Sequence, residues 1–395
     1  MPVEDLIYLD HAATTPVDPR VLEAMLPYLQ GEYGNPSTRY QLGMQAFEAI
    51  SSARALMADL LNAAKPPEII FTSCGTESDN LAIRGVARAT QAKGRHIITS
   101  AIEHHAVLNT CASLQREEGY EVTYVPVDHE GLVHPEDVAA AIRPDTVLVS
   151  VMYANNEMGA IQPIAEIGAI AHERGVYMHT DAVQAAGHLP IDVQALNADL
   201  LSLSGHKFYA PKGVGALYVR EGVPILPRQT GGGQEFGLRA GTENVPYIVG
   251  MAKALALACA ELPTEIGRLT ALRDRLIDGV LSEVPDAYLV GHRIQRLPGL
   301  ASFVFEGIDG EAAQLHLDLN GIACGTGSAC ASNEEGASAV LVAMGIEPRL
   351  ALSALRFSLG RSTTAEHIDR VIEVLPAAVA RLRELSPYYQ PARAH

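Results

Sequence analysis

Polar side chains that can bind or activate a ligand follow four short apolar runs of the sequence. Gly75 and Thr76 follow the run 68–73, and His104 follows the run 96–100. Asp181 and Gln184 lie at the end of the run 176–182, and Ser204, His206 and Lys207 lie at the end of the run 199–204. If the runs are parallel strands, their carboxyl ends lie at one edge of a sheet, where such sheets bind ligands. We therefore expect these side chains to form one site.

Three of these groups suit a phosphorylated aromatic ligand. Gly75 and Thr76 would begin a helix, and the free N–H groups of a helix start can bind a phosphate. His104 can stack on a planar ring, transfer a proton or bind a metal. Asp181 can pair with a protonated ring nitrogen. Thr76 and Asp181 are also residue types that commonly cap the start of a helix, so neither residue by itself identifies a ligand site.

Lys207 is the more specific signal. Phe208 and Tyr209 follow it, and a lysine in partly apolar surroundings loses its proton more readily and can form a Schiff base. Lys212, between a proline and a glycine, resembles a solvated turn residue instead. A phosphate-binding turn, a stacking histidine, an acid for a ring nitrogen and a Schiff-base lysine together predict a site for pyridoxal phosphate.

A second reactive group lies in the sequence GTGSACASNEEGA at 325–337. It contains Cys330, three glycines and no large apolar side chain. A cysteine is usually buried as a small hydrophobe, but this stretch has nothing to bury it with. We predict an exposed loop whose thiol is a nucleophile. Cys324 reads as the end of a strand, and the remaining cysteines lie in or beside apolar periodic segments that are typical of structural positions: Cys74, Cys111 and Cys259.

The apolar pattern predicts two domains. Short β-rich runs alternate with helical periodicity from about 68 to 220, which indicates a mostly parallel sheet covered on both faces. Its seven predicted strands are 68–73, 96–100, 120–127, 146–153, 176–182, 199–204 and 215–221. Later, two amphipathic helices (266–280 and 368–385, with a kink expected at Pro376) and strands at 299–307 and 353–360 predict a smaller α+β domain. We assign residues 15–260 to the large α/β domain, and residues 1–14 and 261–395, with the cysteine loop, to the small one.

Composition limits the partners. Acids outnumber bases by 46 to 29, giving a net charge of −17, which argues against nucleic acid or an anionic membrane as a partner. Five widely spaced cysteines fit a reducing compartment. The N-terminal residues lack the basic and apolar regions of a signal peptide, and the longest apolar stretch, 248–260, is too short to span a bilayer. We expect a cytoplasmic protein.

Ten motifs follow one another along the chain. They are YLDHAATTP (8–16), YGNPST (33–38), FTSCGTESDNLAI (71–83), EHHAV (103–107), ANNEMG (154–159), HTDAVQ (179–184), SLSGHK (202–207), RAGTEN (239–244), GSACAS (327–332) and RFSLGR (356–361). Together they resemble the cysteine desulfurases, fold-type-I pyridoxal-phosphate enzymes of the class V aminotransferase group. The resemblance extends from Tyr8 to 385–389 and is greatest for the nitrogen-fixation (NifS-like) branch, close to the housekeeping (IscS-like) branch.

The resemblance implies a role for each site residue. Lys207 would hold the cofactor as a Schiff base; Gly75, Thr76, Ser204 and His206 would bind its phosphate; His104 would stack on the ring and relay protons; Asp181 would pair with the ring nitrogen; Gln184 would bond the phenolic oxygen; and Thr242 would reach the phosphate from the other subunit of a homodimer. Asn155 and Arg356 would hold the substrate, with Arg356 on its carboxylate. Asn35 is a further candidate for that contact.

The implied reaction converts L-cysteine to L-alanine. The Cys330 thiolate would attack the substrate sulfur and keep it as a persulfide, with Lys207 and His104 as the other catalytic groups. The sulfur would pass to an acceptor protein such as an iron–sulfur scaffold, for iron–sulfur cluster assembly. No dedicated metal site is expected, although Cys330 is a candidate transient ligand of an iron–sulfur cluster.

Three positions depart from the family pattern. His11 stands where Tyr or Asn is common, Phe236 where Arg is general, and Thr326 where Ser is usual, before a cysteine loop that continues SNEEGAS. The altered loop bears on how a partner docks.

Three alternatives remain. A selenocysteine lyase of the same family needs no thiol nucleophile, so Cys330 favours desulfuration. A metal-dependent hydrolase would use His104, His105, His179 and Asp181 as ligands of zinc or iron. A non-catalytic scaffold conflicts with the intact Lys207 and Cys330.

Overall fold

The computed structural model describes residues 6–327, 336–387 and 389. Cys330 and most of the predicted cysteine loop therefore lie outside the described residues. The strands of the described part are β1 (Ile7–Leu9), β2 (Ile69–Thr72), β3 (His96–Ser100), β4 (Glu121–Val125), β5 (Thr146–Ser150), β6 (Tyr177–Asp181), β7 (Leu200–Ser204), β8 (Gly215–Val219), β9 (Ala287–Val290), β10 (Leu300–Phe305), β11 (Ile322–Thr326) and β12 (Leu355–Ser358). The helices are α1 (Pro19–Gln30), α2 (Gln41–Leu60), α3 (Gly75–Ala89), α4 (His105–Glu118), α5 (Pro135–Ala141), α6 (Ile164–Glu173), α7 (Val245–Glu283), α8 (Gly310–Leu319), α9 (Ala339–Ala343), α10 (Pro348–Ala351) and α11 (Ala365–Leu385).

The first sheet has seven strands in the order β2-β8-β7-β6-β5-β3-β4. The pairs from β7 through β6, β5 and β3 to β4 are parallel, whereas β8 is antiparallel to both β7 and β2. Strand β2 therefore points the same way as the parallel strands. The predicted mostly parallel seven-stranded sheet is confirmed, and its carboxyl edge brings together the ends of β2, β3, β6 and β7.

Both faces of this sheet are buried. Consecutive residues of each central strand enter different cores: Ile97, Leu148 and Leu200 pack with α3 and α4, whereas Ile98, Val149 and Leu201 pack with α2, α6 and the first half of α7. A strand buried on both faces reads as a continuous apolar run. That is why the sequence predicted these strands.

The second sheet has the order β1-β11-β12-β10-β9. Strand β1 pairs parallel with β11, and the other pairs are antiparallel. Its core contains Phe303 and Phe357 with apolar residues of α8, α11 and the second half of α7. The predicted strands at 299–307 and 353–360 correspond to β10 and β12. This sheet brings β1 and β12 to the edge of the first sheet.

Helix α7 connects the two cores. It runs unbroken from Val245 to Glu283 with Pro263 inside it, so the predicted boundary between 260 and 261 lies within a helix. The division into domains at that point stays a prediction. Helix α7 is also, within the described residues, the one helix long and apolar enough by composition to cross a membrane. Half of its most apolar 18-residue window is buried inside the protein, and Met251 and Leu276 lie in the two cores that the helix connects.

Candidate active site

A cavity of about 420 Å³ lies where the carboxyl edge of the first sheet meets β1 and β12. It is lined by nine of the predicted site residues: Gly75, Thr76, His104, Asp181, Gln184, Ser204, His206, Lys207 and Arg356. This volume suits a small ligand. A larger groove of about 780 Å³ between β10, α10 and the end of α11 contains none of the predicted residues. The smaller cavity is therefore the candidate site.

One end of the cavity suits a phosphate. Helix α3 begins at Gly75, and the side chain of its N-cap residue, Cys74, makes no capping hydrogen bond. A Cβ on Gly75 would lie 2.7 Å from Cγ2 of Val183 and 3.4 Å from Cβ of Ser204, so only glycine leaves this close approach open. Uncapped N–H groups at the start of a helix are donors for an anion.

His206 lies at the same end. Its Nδ1 is 3.1 Å from Oγ1 of Thr14. Burial lowers the pKa of His206 to about 4, and the positive charges of Lys207 and Lys212 act in the same direction. The neutral imidazole at neutral pH can therefore contact a phosphate as a hydrogen-bonding group without a charge.

Lys207 is held by the chain segment that follows β1. It closes a 3-10 turn after β7, and its Nζ donates to the carbonyl oxygens of Ala12 at 2.6 Å and Ala13 at 2.9 Å. Nε2 of Gln184 donates to the same Ala12 oxygen at 3.0 Å. The two carbonyls thus fix the lysine amine on the cavity wall beside Gln184.

The inner end of the cavity holds Asp181 and His104. Oδ1 of Asp181, the last residue of β6, accepts from the N–H of Val183 at 2.9 Å. Burial raises the pKa of Asp181, and the positive charge of Lys207, like that of His104 when it is protonated, opposes this increase. Nδ1 of His104 accepts from the N–H of Ala106 at 3.1 Å and caps α4. Burial lowers the pKa of His104, so its neutral ring carries the proton on Nε2, which is left for a ligand.

Arg356 in β12 faces the opposite side of the cavity. Its Nη2 lies 2.7 Å from Oδ1 of Asp10, and its Nη1 donates to the carbonyl of Asn156 at 2.9 Å. Strand β11 crosses next to it with Gly325 opposite Arg356. The guanidinium is therefore already oriented by protein groups, and a substrate carboxylate would join this arrangement.

Three predicted residues do not line the cavity. Asn155 is fully buried, its Nδ2 donating to Ile102 and its Oδ1 accepting the N–H groups of Glu157 and Met158. Asn35 is exposed, with Oδ1 accepting from the N–H of Ser37. Thr242 is exposed on the segment before α7. In this chain Asn155 shapes the turn that carries Asn156 and Glu157 onto the cavity wall.

Among the further residues that line the cavity, four with ionisable side chains were given no part in the site by the sequence: Asp10, Cys74, Asp79 and Glu157. Cys74 is half-buried on the wall and not in an apolar core, so the expectation of a purely structural cysteine is corrected. All four lie inside or beside motifs quoted above. Their residue types were visible, but nothing local signalled that they face the ligand.

The metal-site alternative lacks its geometry. Among the described residues, no group of three or more histidine, cysteine or acidic side chains could hold a metal ion. His179 instead lies between the hydroxyls of Ser150 and Ser202, at 2.8 and 3.0 Å. The proposed ligand set of a hydrolase is therefore not assembled here.

Comparisons with known proteins agree with this site. A family model described as aminotransferase class-V matches residues 7–371. A protein of Methanosarcina thermophila named cysteine desulfurase IscS is 55% identical over 381 residues, 96% of this chain and 94% of that protein. Another of that name, from Dictyoglomus turgidum, is 51% identical over 384 residues, 97% of each. A solved structure described as a NifS-like protein has a TM-score of 0.90 and 40% identity, covering 95% of this chain and 100% of that one. The chain therefore belongs to the class-V aminotransferase family and, within it, to the pyridoxal-phosphate-dependent cysteine desulfurases.

Proposed function

We propose that this protein converts L-cysteine to L-alanine, keeps the sulfane sulfur on Cys330 as a persulfide, and supplies it to an acceptor protein for iron–sulfur cluster assembly. One observation supports this most strongly. Lys207, Asp181 and the uncapped start of α3 line a single cavity opposite Arg356. That arrangement fits a phosphorylated pyridine cofactor and an amino acid side by side.

The chain's own groups divide the work. Bound pyridoxal phosphate supplies an electron sink for the substrate's Cα, which weakens the bond from Cβ to sulfur. The N–H groups of Gly75 and Thr76, with Ser204 and His206, hold its phosphate, and Asp181 holds its ring nitrogen. Lys207 would anchor the cofactor, and its Nζ would take the proton from the substrate's Cα.

Substrate binding falls to Arg356. A carboxylate on the guanidinium would be held by charge-assisted hydrogen bonds, while Asp10 keeps the group from rotating away. Asn155 would act through the turn that it fixes, because its amide is already bonded to backbone groups. Asn35 would reach a substrate only if a second chain placed it there.

The persulfide step belongs to Cys330, which lies outside the described residues. The thiolate attacks the substrate sulfur, a sulfur–sulfur bond forms, and the electron pair of the broken carbon–sulfur bond passes to Cβ, which takes up a proton. The flanking residues support this role. Gly327 lines the cavity at the end of β11, and the Ser338 hydroxyl donates to the carboxylate of Glu157, another cavity residue.

We also propose a cytoplasmic homodimer that shares its sites through Thr242. Helix α1 exposes an apolar stripe at helical spacing, formed by Leu22, Leu26 and Leu29. Tyr40, the N-cap residue of α2, forms a second stripe with Met44 and Phe47 of that helix. An apolar stripe of this kind is typical of an interface. The exposed Thr242 would then complete the phosphate site of the other subunit.

The experiment is a product assay on the purified protein with L-cysteine. We expect equal amounts of alanine and transferred sulfur, and mass spectrometry should find a persulfide on Cys330. Cys330→Ser should still change the cofactor's visible absorption on binding cysteine, yet release only traces of alanine. Undiminished alanine release by that variant would exclude the proposed sulfur transfer, and rapid turnover of selenocysteine alone would favour the lyase.

A second variant tests the cofactor anchor. Lys207→Ala should remove both turnover and the visible absorption of the lysine-bound cofactor. The control is Lys212→Ala, since Lys212 is exposed five positions further along the chain and should leave both unchanged. Retention of both properties in Lys207→Ala would overturn the assignment.

A further inference from the structure

Three buried carboxyl groups lie at or near the cavity, two of them on its wall and one, that of Glu103, outside it. They are Asp79 in the second turn of α3, Glu103 in the turn after β3, and Asp181 at the end of β6, with exposed fractions of 1%, 2% and 5%. Asp79 has the imidazole of His179 as its neighbour within the described residues, and Glu103 accepts from the neutral donors Ser100 and Met152. Buried carboxylates without a cation cost several kcal/mol each, roughly, so such groups tend to keep a proton.

Of the three carboxyl groups, that of Asp79 has the least to offset the cost of burying a negative charge. Its Oδ1 is buried without a hydrogen-bond partner in the described part of the chain, and it lies 3.6 Å from Nε2 of His179. His179 cannot supply a positive charge. Its two ring nitrogens contact the hydroxyls of Ser150 and Ser202, and burial lowers its pKa to about 3.

Asp181 is better placed to carry a charge. It accepts an N–H from Val183 at 2.9 Å, and the positive charge of Lys207 favours its ionised form against burial. Burial and the charge of Asp181 both raise the pKa of Asp79 well above its usual range, opposed by a hydrogen bond from Ser202. Because both carboxyls line one cavity, ionisation of one disfavours ionisation of the other.

The other titratable groups near Asp79 do not change which of the two aspartates keeps the proton. Oε1 of Glu103 accepts from the Ser100 hydroxyl at 2.5 Å and the Met152 N–H at 2.9 Å, while burial raises the pKa of Glu103 to about 8. Cys74 lies at the start of the same helix as Asp79. Neither group offers a cation to Asp79.

We propose that Asp79 holds a proton at neutral pH and thereby leaves the single negative charge of this carboxyl pair on Asp181. Asp79 is then a positioning residue for the cofactor. If it ionised, the repulsion would return a proton to Asp181 and remove the partner of the ring nitrogen. The functional meaning rests on the proposed role of Asp181, whereas the protonation of Asp79 is a property of the protein alone.

Infrared difference spectroscopy tests the proton directly. The spectrum of wild type minus Asp79→Asn, at neutral pH, should show the carbonyl band of a protonated carboxylic acid in both the cofactor-free and the cofactor-loaded protein. A pair of carboxylate bands instead would overturn the proposal. If Asp79→Asn yields no folded protein, the aspartates of the wild type can be labelled with carbon-13 instead. The label should then shift the carbonyl band of a protonated aspartic acid away from the band of protonated Glu103. The absence of a shifted band would be equally decisive against it.

Thermal unfolding of the cofactor-free protein tests independently whether the pKa of Asp79 is raised in the folded state. A carboxyl whose pKa is higher in the folded than in the unfolded protein makes the folded protein less stable as the pH rises from the unfolded-state pKa toward the folded-state pKa. The asparagine variant has no such loss. The midpoint of Asp79→Asn relative to wild type should therefore rise as the pH is raised above the ordinary pKa range of an aspartate. A relative midpoint that falls as the pH is raised would show an ionised and paired Asp79.

Cofactor titrations separate this inference from the proposed function. Asp79→Ala should weaken pyridoxal phosphate binding by about tenfold, the value of one hydrogen-bonding group. Asp79→Asn should restore most of that affinity, because a neutral amide replaces a neutral acid. Failure of Asn to restore it would contradict the neutral state. Tight binding by Asp181→Asn would instead refute the role of Asp181, while the infrared result for Asp79 would stand.

Discussion

Cys324 shows how burial decides which thiol can react. It lies in β11 opposite Leu9 and is 3% exposed. Burial raises the pKa of its thiol to about 12, and the charge of Asp10 adds to the effect. At neutral pH almost none of it is thiolate, the form that attacks sulfur.

We therefore predict that Cys324→Ala still forms the persulfide on Cys330. Mass spectrometry after one addition of cysteine should find the extra sulfur on the peptide that contains Cys330. In the Cys330→Ser variant no sulfur should appear on Cys324. Sulfur on Cys324 in that variant would make it a carrier and would contradict the assignment.

At the residue scale, the sequence predicted the groups that follow strands and missed those whose role depends on packing. Lys207 and Asp181 are recognisable because a strand end and a reactive side chain coincide. Asp79 lies within α3, where only the folded structure brings its carboxyl onto the same cavity wall as Asp181. The amide of Asn155 bonds local backbone, a choice of partner that side-chain type does not determine.

At the element scale, the contact between β11 and β12 controls the substrate arginine. A Cβ on Gly325 would lie 2.8 Å from Nη2 of Arg356 and 2.9 Å from Oδ1 of Asp10. Gly325→Ala should therefore displace the flexible guanidinium without unfolding the strand. We predict an increase of about tenfold to a hundredfold in KM for cysteine, the worth of a misplaced charged hydrogen bond.

The matched control for Gly325→Ala is Gly267→Ala. Gly267 lies in α7 with nothing within 4 Å of an added Cβ, and alanine there should raise helix stability by up to about 1 kcal/mol. Its KM should match wild type. The visible absorption of the bound cofactor should be unchanged in both variants, because neither touches the phosphate or ring end. An unchanged KM in Gly325→Ala would argue against Arg356 as the carboxylate site.

A buried ion pair anchors the segment that leads to Thr242. Arg54 of α2 contacts both carboxylate oxygens of Glu235 at 2.6 and 2.7 Å, and the N–H of Phe71 donates to the same group at 2.8 Å. Glu235 and Phe236 have φ of 45° and 58°, conformations that are strained for residues other than glycine. The ion pair offsets that strain.

We predict that Glu235→Ala lowers the free energy of unfolding by about 3–5 kcal/mol, because it leaves the Arg54 guanidinium buried without its partner. Urea denaturation measures the change. Glu221→Ala is the control: its ion pair with Lys65 is exposed on both sides, and an exposed pair is worth at most about 1 kcal/mol. Equal losses in the two variants would show that the Arg54 pair contributes no more than a surface contact.

The more completely a strand is buried, the more readily the sequence predicts it. Strands β3, β5 and β7 are buried at every residue, so composition alone outlines them. Strand β1 has three residues and a partner at the other end of the chain, which leaves no local pattern. The two halves of α7 serve different cores, and the sequence accordingly suggested a boundary where the structure has a continuous helix.

At the scale of the whole molecule, the open question is the shared site. Thr242 would give one hydrogen bond to a phosphate, so Thr242→Ala should weaken cofactor binding by about one to two orders of magnitude without unfolding the protein. Titration of the cofactor-free variant with pyridoxal phosphate measures this.

A mixed dimer of Thr242→Ala with Lys207→Ala distinguishes the two subunits. The site with an intact Lys207 then receives its threonine from the Lys207→Ala chain, so tight binding should return at that site. If the subunits exchange and no affinity returns, Thr242 acts within its own chain.

The parallel pairing of β1 with β11 has a consequence for how a cell makes this protein. Ile7 leaves the ribosome early, but its partner Ile322 emerges roughly 300 residues later, about 15 to 60 s at ordinary rates of translation. Arg356, on the strand next to β11, can reach the cavity only after that delay. A nascent or prematurely terminated chain therefore lacks a finished cavity, and sulfur chemistry begins only when synthesis is complete.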